Sequence, residues 1–197
     1  MLPGPPQPQP PPKLLKLPPW LLLVLVIGAV LYVWWWQARK EHRYDAFVRE
    51  AAARYWADPA LVKAMIWRES RFDPQARGRA GELGLMQLRE PAAFEWAEAE
   101  HLRPFSHQWM LIPRDNVLAG TWYLQKILKR YARTDNPVPY ALADYNAGRA
   151  HVLRWTKGPA ATNSAAFLRN MDFPGTREYI ASITRRRQHY QLEFKGK

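Results

Sequence analysis

Glu69 is the residue whose position asks for a chemical explanation. It stands seven residues after Val62, four after Met65 and three after Ile66. Helical geometry therefore puts its carboxyl group on the apolar stripe that must face a core. A glutamate seldom goes there without a partner or a task. Burial disfavours the charged form and raises the pKa, which is how a carboxyl group stays protonated near neutral pH and serves as a general acid. The competing account is a solvated glutamate at a helix end, paired with Arg68 or Arg71, and such ion pairs outnumber catalytic acids.

Two further segments are dense in chemistry. Gly81-Glu82-Leu83-Gly84-Leu85-Met86-Gln87 joins turn-forming glycines to an amide and a soft thioether, the makings of a cleft wall; read blandly, it is a loop entering a core. Tyr145-Asn146-Ala147-Gly148 ends a helix expected to begin near Pro139. Gly148 is its stop, and the neighbouring hydroxyl and amide suit sugar recognition. The absence of cysteine excludes disulfides, thiol nucleophiles and Cys-ligated zinc. His42, His101, His107, His151 and His189 lack HExxH or similar spacing, so neither metal nor cofactor is expected. His101 and His107 are expected in a surface loop beside Pro104.

The elements that must position these residues read as helices. Phe47, Val48, Ala51, Ala52 and Tyr55 form one stripe, and Leu61, Val62, Met65 and Ile66 the next. Asp58-Pro59 is a cap followed by proline at the first helical position. Later stripes run from Val117 to Tyr131 and from Tyr179 to Tyr190, with Asn116 and Thr176 as their expected caps. Alternating strand patterns are nearly absent, which predicts an all-α, or mainly α, domain.

Two segments precede that domain. Residues 1–19 hold nine of the chain's 18 prolines and are expected to form an extended, solvated tail. From Trp20 to Trp36 there are 17 residues without a charge, roughly 26 Å of helix, at the short end of the range for crossing a membrane. A signal-peptide core would be shorter and followed by a small-x-small site, whereas here Trp34-Trp35-Trp36 and Gln37-Ala38-Arg39 follow. Aromatic residues beside Arg39 and Lys40 read as the interfacial belt of a retained anchor. The expected division is thus a tail (1–19), a transmembrane anchor (20–36), a helical domain (43–190) and a basic tail (191–197).

The net charge is +12, and beyond residue 40 there remain 25 basic against 17 acidic residues. That favours a polyanionic partner without choosing among nucleic acid, an anionic membrane and an anionic wall polymer. A membrane-tethered binding protein without catalysis, using Arg185-Arg186-Arg187, Lys195 and Lys197, is one reading. Since nothing matches a nucleic-acid-binding motif, no nucleic-acid partner is expected.

Glu69-Ser70-Arg71-Phe72-Asp73-Pro74-Gln75-Ala76, Gly84-Leu85-Met86-Gln87, Tyr145-Asn146-Ala147-Gly148 and Pro174-Gly175-Thr176-Arg177-Glu178-Tyr179, in that order, closely resemble the four-motif signature of the Slt-type lytic transglycosylases, glycoside hydrolase family 23. The resemblance covers roughly residues 45–190. Gly175 stands where the family often has Glu, Glu82 where it often has Ala, and Arg89-Glu90-Pro91 carries an extra residue before proline.

The resemblance implies a lysozyme-like domain that cleaves the β-1,4 bond between N-acetylmuramic acid and N-acetylglucosamine in peptidoglycan and leaves a 1,6-anhydro product. Glu69 would be the sole general acid and base. Ser70, Met86, Gln87, Tyr145 and Asn146 would bind substrate, and Tyr179 would orient Glu69. A goose-type-like muramidase is the nearest alternative, with Asp73 or Asp144 as a second carboxylate holding a water. Implied partners are peptidoglycan glycan strands, the membrane through residues 20–36, and cell-wall or secretion machinery.

The implied substrate puts the catalytic domain in the periplasm, on a single-pass anchor in a bacterial inner membrane. The charge distribution points the other way: Arg39, Lys40, Arg43 and Arg49 follow the anchor and only Lys13 and Lys16 precede it. That rule weakens for long translocated domains. The anchor reading predicts that N-terminal sequencing of the mature protein finds residues 20–36 retained and that a C-terminal alkaline phosphatase fusion is active. A mature terminus near Gln37 or Arg39 would refute retention, and an inactive fusion would refute the orientation.

Overall fold

Asp58 and Pro59 open the helix that carries Glu69. The Asp58 side chain accepts a hydrogen bond from the Ala60 amide at 2.9 Å, and Pro59 supplies a first helical residue that needs no donor. This computed structural model describes residues 18–195, so most of the expected proline-rich tail, residues 1–17, lies outside the described residues. The chain divides after Lys40.

Before that division, α1 (Pro19–His42) has a stretch of mean hydropathy 2.0, long and apolar enough to cross a bilayer. Its side chains from Leu22 to Trp36 are exposed, and Arg39 and Lys40 lie over the rings of Trp35 and Trp36.

After it come α2 (Asp45–Tyr55), α3 (Pro59–Ser70), α4 (Glu90–Ala99), α5 (Pro113–Arg130), α6 (Pro137–Ala147), α7 (Arg149–Trp155), α8 (Ser164–Asn170) and α9 (Pro174–Lys195). Short 3-10 turns lie at His107–Leu111 and Gly158–Ala161. Strand-like pairing among the described residues is limited to two isolated bridges, Arg77 with Leu83 and Leu83 with Leu88, so the domain is all-α, as its periodicity predicts. Every residue from Ala60 to Ile66 is buried, which makes α3 the central helix; it packs most extensively against α9, while α2 and α6 pack on α5.

Several sequence expectations need correction. Asn116 does not cap α5, which starts at Pro113; the asparagine is buried a turn further in. Thr176 likewise lies inside α9, which starts at Pro174. In both cases proline at the first turn sets the boundary and frees the polar side chain for a tertiary bond. Helix α6 begins at Pro137, capped by Asn136, rather than near Pro139. The basic tail expected from residue 191 is instead the last turn of α9 through Lys195, with Phe194 packed on the core. His107 opens a 3-10 turn, with Nε2 3.0 Å from the Leu88 carbonyl.

Lys63, on the central helix, is fully buried. Its ammonium lies 2.8 Å from both Asp45 Oδ1 and Glu193 Oε2, 3.3 Å from His42 Nδ1 and over the Tyr190 ring. Donor atoms of His42, Asp45 and Glu193 come within 4.8 Å of one another, a grouping reminiscent of a metal site, but the cation they share is Lys63. Nearby, Arg186 pairs with Glu41, and Arg187 bonds Asp58 at 2.6 Å. Removing one partner of a buried ion pair leaves the others uncompensated. Lys63→Met should therefore lower the unfolding free energy by about 2–4 kcal/mol in a denaturant titration, whereas a loss under about 0.5 kcal/mol would place the contact with ordinary surface pairs.

Candidate active site

The last turn of α3 delivers Glu69 to a cleft of about 540 Å³. The helix ends at Ser70, after which Arg71 and then Phe72 take left-handed φ values of 53° and 62° and turn the chain away. Tyr179, buried on α9, donates its hydroxyl to Glu69 Oε1 at 2.5 Å. Burial is the largest influence on the carboxyl group and pushes its pKa from 4.5 up to about 7. The Tyr179 hydrogen bond and Arg68 oppose the rise, and Glu82 adds to it. Burial, followed by the charge of Glu69, pushes the Tyr179 phenol up as well, so it stays a donor.

The turn at Gly84–Gln87 forms the wall beside this carboxyl group and is fastened from four directions. Asn116 on α5 accepts from the Met86 amide at 2.7 Å and donates to the Leu83 and Met110 carbonyls, both at 2.8 Å. Tyr145 on α6 donates to the Met86 carbonyl at 2.7 Å. Ser70 Oγ lies 2.8 Å from the Leu85 carbonyl. Gln87, at φ 48°, donates to the carbonyls of Ala76 and Gly84. Gly84 is required twice over: its φ is +76°, and a Cβ there would lie 2.1 Å from the Met110 carbonyl oxygen.

The residues singled out in the sequence therefore occupy different places. Glu69, Gln87, Tyr145 and Asn146 line the cleft. Met86 and Ser70 were expected to touch substrate, but neither is among its lining residues. Met86 is fully buried, its sulfur filling the space a Cβ on Gly120 would need, and the Ser70 hydroxyl is turned onto backbone. Both support the wall from behind. Asn146 is exposed at the cleft, and its Oδ1 accepts from Thr176 at 2.9 Å. That bond directs the amide's remaining N–H donors elsewhere.

The candidate second carboxylates also separate. Asp73 is exposed and accepts from the Gln75 amide in its own turn. Asp144 is buried, bonded to Arg130 at 2.5 Å and Tyr131 at 2.7 Å, and so is not free to hold a water. Sequence reasoning missed the wall role of Asn116, which a capping preference disguised; Glu82, within the segment read as a cleft wall but not singled out there, lines the cleft with Glu69.

The family model of the Transglycosylase SLT domain matches residues 46–168. Membrane-bound lytic murein transglycosylase C of Pectobacterium atrosepticum is 33% identical over 128 residues, covering 59% of this chain and 34% of that protein. Membrane-bound lytic murein transglycosylase F of Desulfosudis oleivorans is 34% identical over 113 residues, covering 56% and 23%. The chain thus spans about a third or less of these curated relatives. Among solved structures, an inactive mutant of lytic transglycosylase Slt from Pseudomonas aeruginosa superposes with a TM-score of 0.71 at 23% identity, covering 78% of this chain and 25% of that one. A complex of the 70-kDa soluble lytic transglycosylase with bulgecin A gives 0.70 at 24% identity, covering 81% and 25%. This likeness gives the chain the fold shared with part of the Slt lytic transglycosylases, the lysozyme-like arrangement that the four motifs imply.

A folded-state pKa raised above the unfolded value means that folding binds the proton more tightly; wild-type stability is fully present below pH 4.5 and is lost as pH rises through about 7. Glu69→Gln removes that dependence. Thermal and denaturant melts should show the variant equal to wild type at pH 4 and more stable at pH 8, by up to about 3 kcal/mol. A difference that does not change with pH would mean that Glu69 is solvated.

Proposed function

The chain belongs to the transglycosylase SLT domain family, and we propose on that premise that it is a membrane-anchored lytic transglycosylase of peptidoglycan. It cleaves the β-1,4 bond between N-acetylmuramic acid and N-acetylglucosamine and leaves 1,6-anhydro-N-acetylmuramic acid. The observation that carries this reading is the carboxyl group of Glu69, held protonated near neutrality at a cleft by burial and oriented by Tyr179. The names of the relatives, lytic murein transglycosylases that are membrane-bound, support the substrate class and the anchor.

The chemistry follows from one group used twice. Protonated Glu69 gives its proton to the glycosidic oxygen as the bond to the anomeric carbon breaks, and the departing sugar leaves with a free hydroxyl. The resulting carboxylate then takes the proton of the muramic acid 6-hydroxyl, whose oxygen closes on the anomeric carbon. Glu69 ends as it began, and no water is consumed. The sugar's acetamido group can share the transient positive charge. Tyr179 keeps the carboxyl oxygen in register through both transfers, while Gln87, Tyr145 and Asn146 present amide and hydroxyl groups along the strand.

A hydrolase would need a second carboxylate placed to hold a water; Asp144 is bonded to Arg130 and Tyr131, and Asp73 to the Gln75 amide of its own turn, so Glu82 is the cleft carboxylate left for that role, and the products decide between the two reactions. Residues 20–36 serve as the anchor, and the domain that follows lies in the periplasm, where its substrate is. A binding protein built on Arg185-Arg186-Arg187 is less favoured, because these side chains already pair with Glu178, Glu41 and Asp58.

The test is mass spectrometry of products after incubation with purified peptidoglycan. Anhydro-muropeptides are expected from wild type, with release slowed about 10²- to 10⁴-fold in Glu69→Gln, which can neither give nor take the proton. Reducing-end muropeptides alone would replace the reading with a muramidase, and undiminished release by the Gln variant would remove Glu69 from the chemistry.

A further inference from the structure

Glu82 is the acidic residue of the cleft that the mechanism leaves unused. Of the other two, Glu69 carries the proton and Asp144 is neutralised by Arg130. Among the described residues no basic side chain lies within ion-pair distance of Glu82. Its carboxylate is nonetheless held in place. Oε2 accepts from the Ala80 amide at 3.0 Å, inside a turn closed by the Gly78 amide on the Glu82 carbonyl at 2.8 Å and by Gly81 at φ +86°.

Gly78 completes the seat. Its backbone is not left-handed, so conformation does not require glycine there, but space does. A Cβ at Gly78 would stand 2.2 Å from Glu82 Oε2 and 2.9 Å from the Gln87 amide oxygen. The glycine thus admits the carboxylate against the wall and sets it beside Gln87. A merely solvated surface glutamate needs no such arrangement.

We propose that Glu82 is a second working carboxylate of this cleft, a fixed and unneutralised negative charge that stabilises the sugar ring as its anomeric carbon becomes cationic. This rests on the transglycosylase reading and adds a residue to it. Glu82 neither gives nor takes a proton in the cycle: the proton passes from Glu69 to the leaving oxygen and from the 6-hydroxyl back to Glu69. A preorganised charge aimed at developing charge in a site partly shielded from water is among the larger contributions an enzyme can make. The same charge acts on Glu69, where it adds to burial in keeping the carboxyl protonated. Glu69 is faced by Arg68 from its own helix, Tyr179 from α9, Tyr145 from α6 and Glu82 from the loop; Glu82 is the only carboxylate in that set.

The experiment uses the full chain in detergent micelles. Glu82→Gln keeps the shape and should lower kcat on peptidoglycan about 10- to 100-fold, leave KM within about threefold, and move the basic limb of the kcat pH profile to lower pH. Without substrate, the carbon-13 titration midpoint of the Glu69 carboxyl should fall in Glu82→Gln and stay near wild type in Glu82→Asp, which retains the charge. An unmoved midpoint, or an unchanged kcat with normal anhydro-muropeptide release, overturns the role of Glu82 and leaves the proposed function standing. A wild-type chain that releases no anhydro product, while the midpoint still responds to Glu82, overturns the proposed function and the catalytic role with it.

Discussion

The hydrogen bond between Tyr179 and Glu69 joins the two helices on which the domain is built, and it resolves a conflict. A carboxyl group at the end of a buried helix loses hydration, which favours its neutral form. A bare apolar surrounding would raise the pKa further but leave the group without orientation. A donor only 2.5 Å away restrains the rise and fixes one carboxyl oxygen. The outcome near 7 is the compromise that the proposed acid-then-base role would require: a much lower value would leave no proton to give, and a much higher one no base to recover it.

The wall opposite depends on close approach. Met86 contributes its backbone to the bonds with Asn116 and Tyr145 and its side chain to the core against Gly120. Buried polar networks are stabilising only when every member is satisfied, and Asn116 meets that condition with one acceptor and two donor bonds. Leucine would fit the volume and strand three backbone groups, each at a cost of about 1–3 kcal/mol. The geometry around the carboxyl group is thus maintained by side chains that do not line the cleft.

What could be read in the sequence follows from the range of the forces involved. The Asp58–Pro59 start, the Gly148 stop and the apolar stripe beneath Glu69 are local, set by capping and by a period of 3.6 residues, and all three are found in the structure. Asn116 and Thr176 were misassigned for the same reason: both types are good caps, and only the fold shows that prolines two or three residues earlier had already begun the helices. Asp144 could be taken from the sequence as a free carboxylate because its partner Arg130 is 14 residues away on another helix. Lys63 gave no local sign at all, since Glu193 lies 130 residues further along the chain. Four ordered motifs revealed the family, but not which of their residues face the cleft and which brace it.

The long-range pairs explain how a site formed from remote segments keeps its spacing. Helices α3 and α9 run antiparallel, because Lys63, early in α3, meets Tyr190 and Glu193, late in α9, while Glu69, late in α3, meets Tyr179, early in α9. Between these ends Arg186 lies over the Trp67 ring and Arg68 over that of Tyr179. Sliding one helix by a single turn, about 5.4 Å, would break the ammonium clamp at one end and the tyrosine–carboxyl bond at the other. Apolar packing alone tolerates small shifts more readily than charge pairs with defined donors and acceptors do. The clamp at Lys63 therefore bears on the cleft at a distance, by holding the register in which the Tyr179 hydroxyl reaches Glu69.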